Sequence, residues 1–480
     1  MVSFCICLLT LIASYFLYGT FVERVFKPDK ARVTAATTKY DGVDYLPLPT
    51  WKVFMIQFLN IAGLGPIFGA IMGAKFGTAS YLWIVLGCVF AGAVHDYLSG
   101  MLSLRNDGIS LPEIIGKYLG LTTKQVMRVF TVLLLVLVGV VFISGPAALL
   151  AKLTPDYLNA YFWIGIVFIY YILATLLPVD KIIGKIYPLF GAALLFMAIG
   201  ILIMLFVKHP ALPEFWDKGG MSSLMPEGQP IFPLMFISIA CGAISGFHAT
   251  QSPLMARCMK NEKLGRPIFY GAMITEGIVA LIWAAAATYF FHGSSENLLV
   301  TNAALVVDRI TNSWLGSFGA ILALLGVIAA PITSGDTALR SARLLVADFL
   351  HLEQKSIAKR LLISVPIFLV TLLILFYSMS DKDGFNLIWR YFAWANQTLS
   401  VFTLWALTVW MFLTRRYYWV TMIPAVFMTS VCTTYIFIAP ECFNLKASLS
   451  YVGGSLCALI SIIWFAYWAL RVGINKRIKE

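Results

Sequence analysis

Adjacent hydroxyls at Thr333 and Ser334 follow Pro331 by two residues and lie towards the end of an apolar run. Hydroxyl oxygens, together with carbonyls of an unwound helix, can cage a hard cation such as sodium, which takes neutral oxygens. The same stretch, residues 329–343, also reads as a helix end, with Ser334 or Asp336 capping a basic helix that begins near Thr337. The two readings are compatible.

Ionisable residues at membrane depth are rare and usually functional. His95 and Asp96 adjoin one another in one apolar run, and Glu276 lies in another. Asp96 could pair with a basic residue near the inner surface or carry a coupled proton, and Asp336 joins His95 and Asp96 as a proton or gating candidate. His248 could titrate near neutral pH, although a lone histidine is more often a satisfied hydrogen-bond donor. His95 and Asp96 make no metal site without further ligands, and none stands at a suitable spacing. Neither a phosphate-binding G-x-x-x-x-G-K-[ST] nor an H-E-x-x-H pair is present, so the sequence offers no ATPase or zinc-protease chemistry.

Two apolar stretches are broken in ways that would place polar groups mid-membrane. The first, "NIAGLGPIFGAIMGAKFG" from Asn60 to Gly77, holds a proline among clustered glycines. Gly63, Gly65 and Pro66 predict unwinding beside Asn60. Gly69, Gly73 and Gly77 continue a small-residue ridge better suited to helix packing. In the second, Gly242, Ser245 and Gly246 predict unwinding, with His248, Thr250 and Gln251 lining the half that follows. An unwound turn in hydrocarbon survives only where it is buried in protein or lines a wet cavity. There its freed N–H and C=O groups become ligands.

The chain that must position these residues has 480 amino acids, 60% of them hydrophobic and 12% charged, and a mean hydropathy of +0.85. Such a composition reads as an all-α polytopic membrane protein of about 13 transmembrane helices. The spans run near 2–20, 51–75, 80–104, 124–152, 160–178, 187–208, 231–257, 267–291, 316–335, 358–379, 385–413, 417–438 and 448–472. The first lacks the basic flank of a cleaved signal and reads as a retained helix.

Most of the 35 lysines and arginines fall in loops that would share one side. That bias predicts an outside N-terminus and a cytoplasmic C-terminus, and it explains the net charge of +12 without nucleic acid. Eight scattered cysteines suggest neither a disulfide framework nor a zinc spacing. With this alternation the two broken spans run in opposite directions, five spans apart. The architecture expected is a 5+5 inverted repeat with one extra N-terminal helix and two extra C-terminal helices. The segments are 1–50 (N-terminal helix and cytoplasmic loop), 51–208 (first repeat), 231–413 (second repeat) and 417–480 (last two helices and tail).

The stretches "DGVDYLP" (from Asp41), "NIAGLGPIFGAIMGAKFG" (from Asn60), "FAGAVHDY" (from Phe90), "RNDGISLPEIIGKYLG" (from Arg105), "TSGDTALRSARLLVADFL" (from Thr333) and "WRYFAWANQTLS" (from Trp389) resemble the carbon starvation protein family. The resemblance covers most of the chain. It implies the five-plus-five fold of the amino acid, polyamine and organocation carriers. It also implies a bacterial inner-membrane carrier importing peptides or pyruvate when preferred carbon sources run out. The best-known members are longer, and the resemblance implies a chain without their C-terminal extension. The resemblance places a coupling-ion site on Thr333 and Ser334 with backbone oxygens of Ala330 and the Asn60–Gly65 region; it leaves sodium or proton open.

The mechanism these readings support is alternating access around a midplane site. There a small carboxylate would meet backbone N–H groups at the breaks, with Asn60, Ser245 and Gln251 as side-chain donors. The rivals are a channel, and a nutrient sensor acting through the basic helix near residues 337–351. An enzyme lacks a catalytic constellation, and no organic cofactor is implied.

Overall fold

With no water to bond exposed backbone groups in hydrocarbon, an apolar chain of this kind closes its hydrogen bonds within helices. The structure, a computed structural model, describes residues 1–42, 45–176, 179–225, 229–293, 303–352, 356–380 and 384–477. Among the described residues every regular element is helical.

Helices α1 (Val2–Phe16) and α2 (Tyr18–Phe26) form an N-terminal rod, followed by a single turn, α3 (Ala35–Thr38). Helix α4 (Thr50–Ile61) stops, the chain unwinds over residues 62–64, and a π-helical turn, Gly65–Gly69, leads into α5 (Ala70–Ala74). Another π-helical turn, Cys88–Gly92, joins α6 (Ala79–Gly87) to α7 (Ala93–Arg105). The short α8 (Leu111–Leu119) precedes the long rods α9 (Leu121–Leu153), α10 (Ala160–Leu176) and α11 (Val179–Lys208). Helix α12 (Ile231–Ser238) ends before a second unwound stretch, residues 239–245, and α13 (Gly246–Ala256) resumes beyond it. Then come α14 (Gly271–Gly293), α15 (Ala303–Ala323), α16 (Ala329–Leu350), α17 (Ile357–Ser380), α18 (Gly384–Leu413), α19 (Trp419–Ile438) and α20 (Ala447–Arg477).

Among the described residues eight helical stretches are long and apolar enough to cross a bilayer, and the bent pair Thr50–Ile61 and Gly65–Ala74 makes a ninth. This is fewer than the sequence suggests, for a physical reason. Of the four expected spans not among them, 231–257 is divided between the short α12 and α13, and the apolar part of α10, Ala160–Ala174, is short. The span 316–335 is divided between α15 and α16, and α18 is long but interrupted by polar residues such as Asn396 and Gln397.

The helix-start reading of residues 334–337 is corrected. Residues Ala329–Leu350 form one helix, so Ser334 and Asp336 lie inside it. Their neighbourhood resembles a cap because it is polar, but the hydroxyls bond within the bundle instead. Thr333 Oγ1 donates to the Ala330 carbonyl at 2.7 Å, and Ser334 Oγ donates to the Leu59 carbonyl at 2.8 Å.

Candidate functional site

The helical turn that resumes after the first break packs against the second unwound stretch. A Cβ on Gly65 would stand 2.2 Å from the Cβ of Cys241, so only glycine lets the first break approach the second. The glycine ridge that follows beds on the same segment, with Gly73 against Ile239. The 51° bend falls on residues 62–64. Pro66 sits in the first turn of the resumed helix, where its missing N–H leaves no bond unmade. Gly77 is a turn residue with a φ of +73° rather than a ridge member. Phe142 of α9 packs between the breaks: its ring stands edge-on to Phe247, 6.3 Å away, and a Cβ on Gly63 would meet it at 2.6 Å.

A helix interrupted in the membrane leaves bare N–H groups at one stump and bare carbonyls at the other. Two consecutive residues of α18 satisfy both stumps of the second break. Asn396 Oδ1 accepts from the Phe247 N–H at 2.7 Å and from Ser245 Oγ at 3.0 Å, capping the start of α13. Gln397 Nε2 donates to the carbonyls of Phe236 at 3.1 Å and Ile239 at 3.3 Å, closing the end of α12. Close approach of α18 requires Gly246, whose Cβ would lie 2.5 Å from the Asn396 carbonyl. The expectation that main-chain dipoles stand bare at this break is therefore modified: Phe247 N–H already has a partner. Asn396 and Gln397 lie within "WANQTLS", but nothing in their spacing reveals a cap delivered from a distant helix.

A buried cluster of titratable groups adjoins the second break. His95 Nδ1 and His248 Nδ1 each lie 2.8 Å from one oxygen of Asp96. The other face of His248 meets Glu276 of α14, with Nε2 and Oε2 3.4 Å apart, an ion-pair distance without hydrogen-bond alignment. All four side chains are fully buried. Asp96 thus pairs with two histidines and not with a basic residue near the inner surface, because the π-helical turn and α7 carry it into the bundle beside α13. Cys241, from the unwound stretch, brings its sulfur into the same cluster. The sequence reading found no further metal-type ligands because Cys241, His248 and Glu276 converge only in three dimensions.

The oxygen-rich neighbourhood lies across the first break. Ser334 Oγ lies 2.8 Å from the Leu59 carbonyl and 3.1 Å from that of Ala330, and Thr333 Oγ1 is also at Ala330. Asn60 Oδ1 accepts a long bond, 3.5 Å, from Thr337 of α16, and its Nδ2 is buried without a partner. Asn60 thus faces α16. Gln251 Nε2 donates to Thr250 Oγ1 at 2.9 Å, with its Oε1 unpartnered. Asp336 belongs to a separate group: Tyr187 OH donates to it at 3.2 Å and Arg340 stands 3.9 Å away on the next turn. His95 and Asp96 are brought together with His248, whereas Asp336 is not.

The family model described as "Carbon starvation protein CstA" matches residues 1–156, 149–314 and 291–435. An uncharacterized membrane protein of Haemophilus influenzae is 45% identical over 61% of this chain and 91% of its own length. A Bacillus subtilis protein named peptide transporter CstA is 33% identical over 60% of this chain and 59% of its own. The Escherichia coli protein named pyruvate/proton symporter BtsT is 28% identical over 58% of this chain and 47% of its own. The match thus spans about half the length of these named transporters. Among solved structures, a manganese transporter of Eremococcus coleocola superposes with a TM-score of 0.58 at 13% identity, covering 90% of this chain and 99% of that one. Mhp1, a nucleobase-cation-symport-1 family transporter, superposes at 0.57 and 14% identity, covering 88% and 93%. At such identities the likeness concerns the fold alone.

Proposed function

Since this chain belongs to the carbon starvation protein CstA family of membrane transporters, we propose that it is a secondary carrier importing a small carboxylate, a peptide or pyruvate, by cation-coupled alternating access. One observation carries the reading: two helices are interrupted mid-run, and the turn that resumes the first packs through Gly65 against Cys241 in the unwound stretch of the second. Breaks at membrane depth persist where protein buries them or where they line a cavity, and carriers use such breaks to grip a solute. The named relatives supply the substrate classes, peptide and pyruvate.

In this reading Asn60, Gly63, Gly65 and Pro66 flank the substrate on one side. Gly242, Ser245, Gly246, His248 and Gln251 flank it on the other. The buried amide atoms of Asn60 and Gln251 that lack partners are the donors and acceptors on offer. The coupling cation is held by Thr333, Ser334 and the carbonyls of Ala330 and Leu59, an all-oxygen neutral set suited to sodium. The name of one relative argues instead for a proton. The helices order as one, five, five inverted and two, with the N-terminus outside and the C-terminus in the cytoplasm of a bacterial inner membrane.

The test is uptake of labelled pyruvate and dipeptides into proteoliposomes under an imposed sodium or pH gradient. Saturable accumulation driven by one gradient supports the reading and identifies the ion. Conductance without saturation, or no flux of either substrate, speaks for a channel or a sensor.

A further inference from the structure

We propose that Cys241, His248 and Glu276 form a binding site for a zinc-class divalent cation, oriented by Asp96 and independent of which solute is carried. The donor atoms of these three residues lie within 4.8 Å of one another, and all three side chains are fully buried. They arrive from separate places: the unwound stretch, the first turn of α13 and the second turn of α14. Thiolate, imidazole and carboxylate together are the ligand set of a borderline-soft ion; alkali ions and magnesium take oxygen alone.

The arrangement around His248 is the strongest argument. Its Nδ1 is 2.8 Å from Asp96 Oδ2, and in the tautomer that donates from that nitrogen the Nε2 lone pair faces Glu276 Oε2, 3.4 Å away. A carboxylate holding the far nitrogen of a histidine is the usual outer support of a metal ligand. Nε2 has no hydrogen bond, nor has either oxygen of Glu276. Three buried polar atoms without hydrogen bonds, two of them facing at 3.4 Å, are costly unless something lies between them. Sulfur is supported as well, since the Asn396 amide stands 3.5 Å from Cys241 Sγ.

Charge points the same way. Asp96 and Glu276 are fully buried, and among the described residues their ion-pair partners are His95 and His248, with no lysine or arginine at either. A dication supplies the positive charge that two buried carboxylates lack. Three protein ligands leave a fourth position for water or another oxygen, the pattern of an exchangeable site. A bound ion would tie the second break to α14 and hold that break in one arrangement.

The test uses the full chain purified in detergent and stripped with a chelator. Titration with cobalt(II), as a spectroscopic substitute for zinc, is expected to give one ion per chain with a sulfur-to-cobalt charge-transfer band. Cys241→Ser should erase the band and weaken binding at least tenfold, and Glu276→Gln should weaken it comparably. X-ray absorption of the zinc-loaded wild type needs no variant, and one sulfur among nitrogen and oxygen ligands is the result expected. No stoichiometric binding, a sulfur-free shell, or a band that persists in Cys241→Ser overturns the site. Because these readouts measure binding of metal alone, they fail or succeed separately from the uptake assay.

Discussion

Asn396 Oδ1 lies 2.7 Å from the backbone nitrogen of Phe247, so the half-helix that restarts after the second break is capped from another helix, α18. A cap of this kind does two things. It satisfies an N–H that lipid cannot, and it ties the stump to a long rod whose shift would expose that N–H.

Asn396→Ala should therefore lower thermal stability by about 1–2 kcal/mol, the usual worth of a lost cap. It should also reduce uptake more than tenfold. Asn396→Asp keeps an acceptor and should restore much of the stability. Thermal unfolding and initial uptake rates, measured side by side, check both statements.

Gly65→Leu should abolish uptake while the protein still inserts and elutes as a single species. Its side chain would occupy the space of Cys241, whose Cβ lies 2.2 Å from the Cβ position of residue 65. Gly65→Ala should fall between. Uptake per inserted molecule is the quantity to compare, and undiminished transport by Gly65→Leu would remove the first break from the site.

Ser334→Ala deletes an oxygen from the set that includes the carbonyls of Leu59 and Ala330. If sodium couples there, the sodium concentration giving half-maximal uptake should rise about tenfold, equivalent to roughly 1.4 kcal/mol. Transport whose ion dependence is unaltered in this variant would move the coupling site elsewhere.

How much of this was legible beforehand follows from how local each signal is. Gly63 and Gly242 lie inside the interruptions, whereas Gly65, Pro66 and Gly246, expected to unwind, open the helical turns that resume beyond them. Helix-weakening residues mark the vicinity of a break and not its exact bounds, and that vicinity could be read from single residues. The caps could not, since Asn396 and Gln397 sit far along the chain from the stumps they close. Nor could the Cys241, His248 and Glu276 cluster, whose members share no spacing. Residues 333–337 misled for the opposite reason. Serine, glycine and aspartate in a row look like a helix start, but contacts with Leu59 and Tyr187 satisfy them inside a continuous helix.

Acid should loosen α8. Partial burial pushes the Glu113 carboxyl up, but hydrogen bonds and charge from Lys124 and Arg128, both at 2.5 Å, outweigh it and hold the group below the usual carboxylate range. A depressed value stabilises the fold above the ordinary value near 4.3, and that contribution is lost as pH falls from there through the folded value. Glu113→Gln should cost up to about 1 kcal/mol at neutral pH and remove this part of the acid sensitivity. Unfolding of both forms between neutral and acid pH, followed calorimetrically, gives the comparison.

The most direct measurement is a structure of the protein with pyruvate or a dipeptide bound in lipid. Substrate density lodged between residues 62–65 and 239–246, against Asn60 or Gln251, is the result this account predicts. Density held elsewhere, with both stretches wound into regular helix, would contradict it.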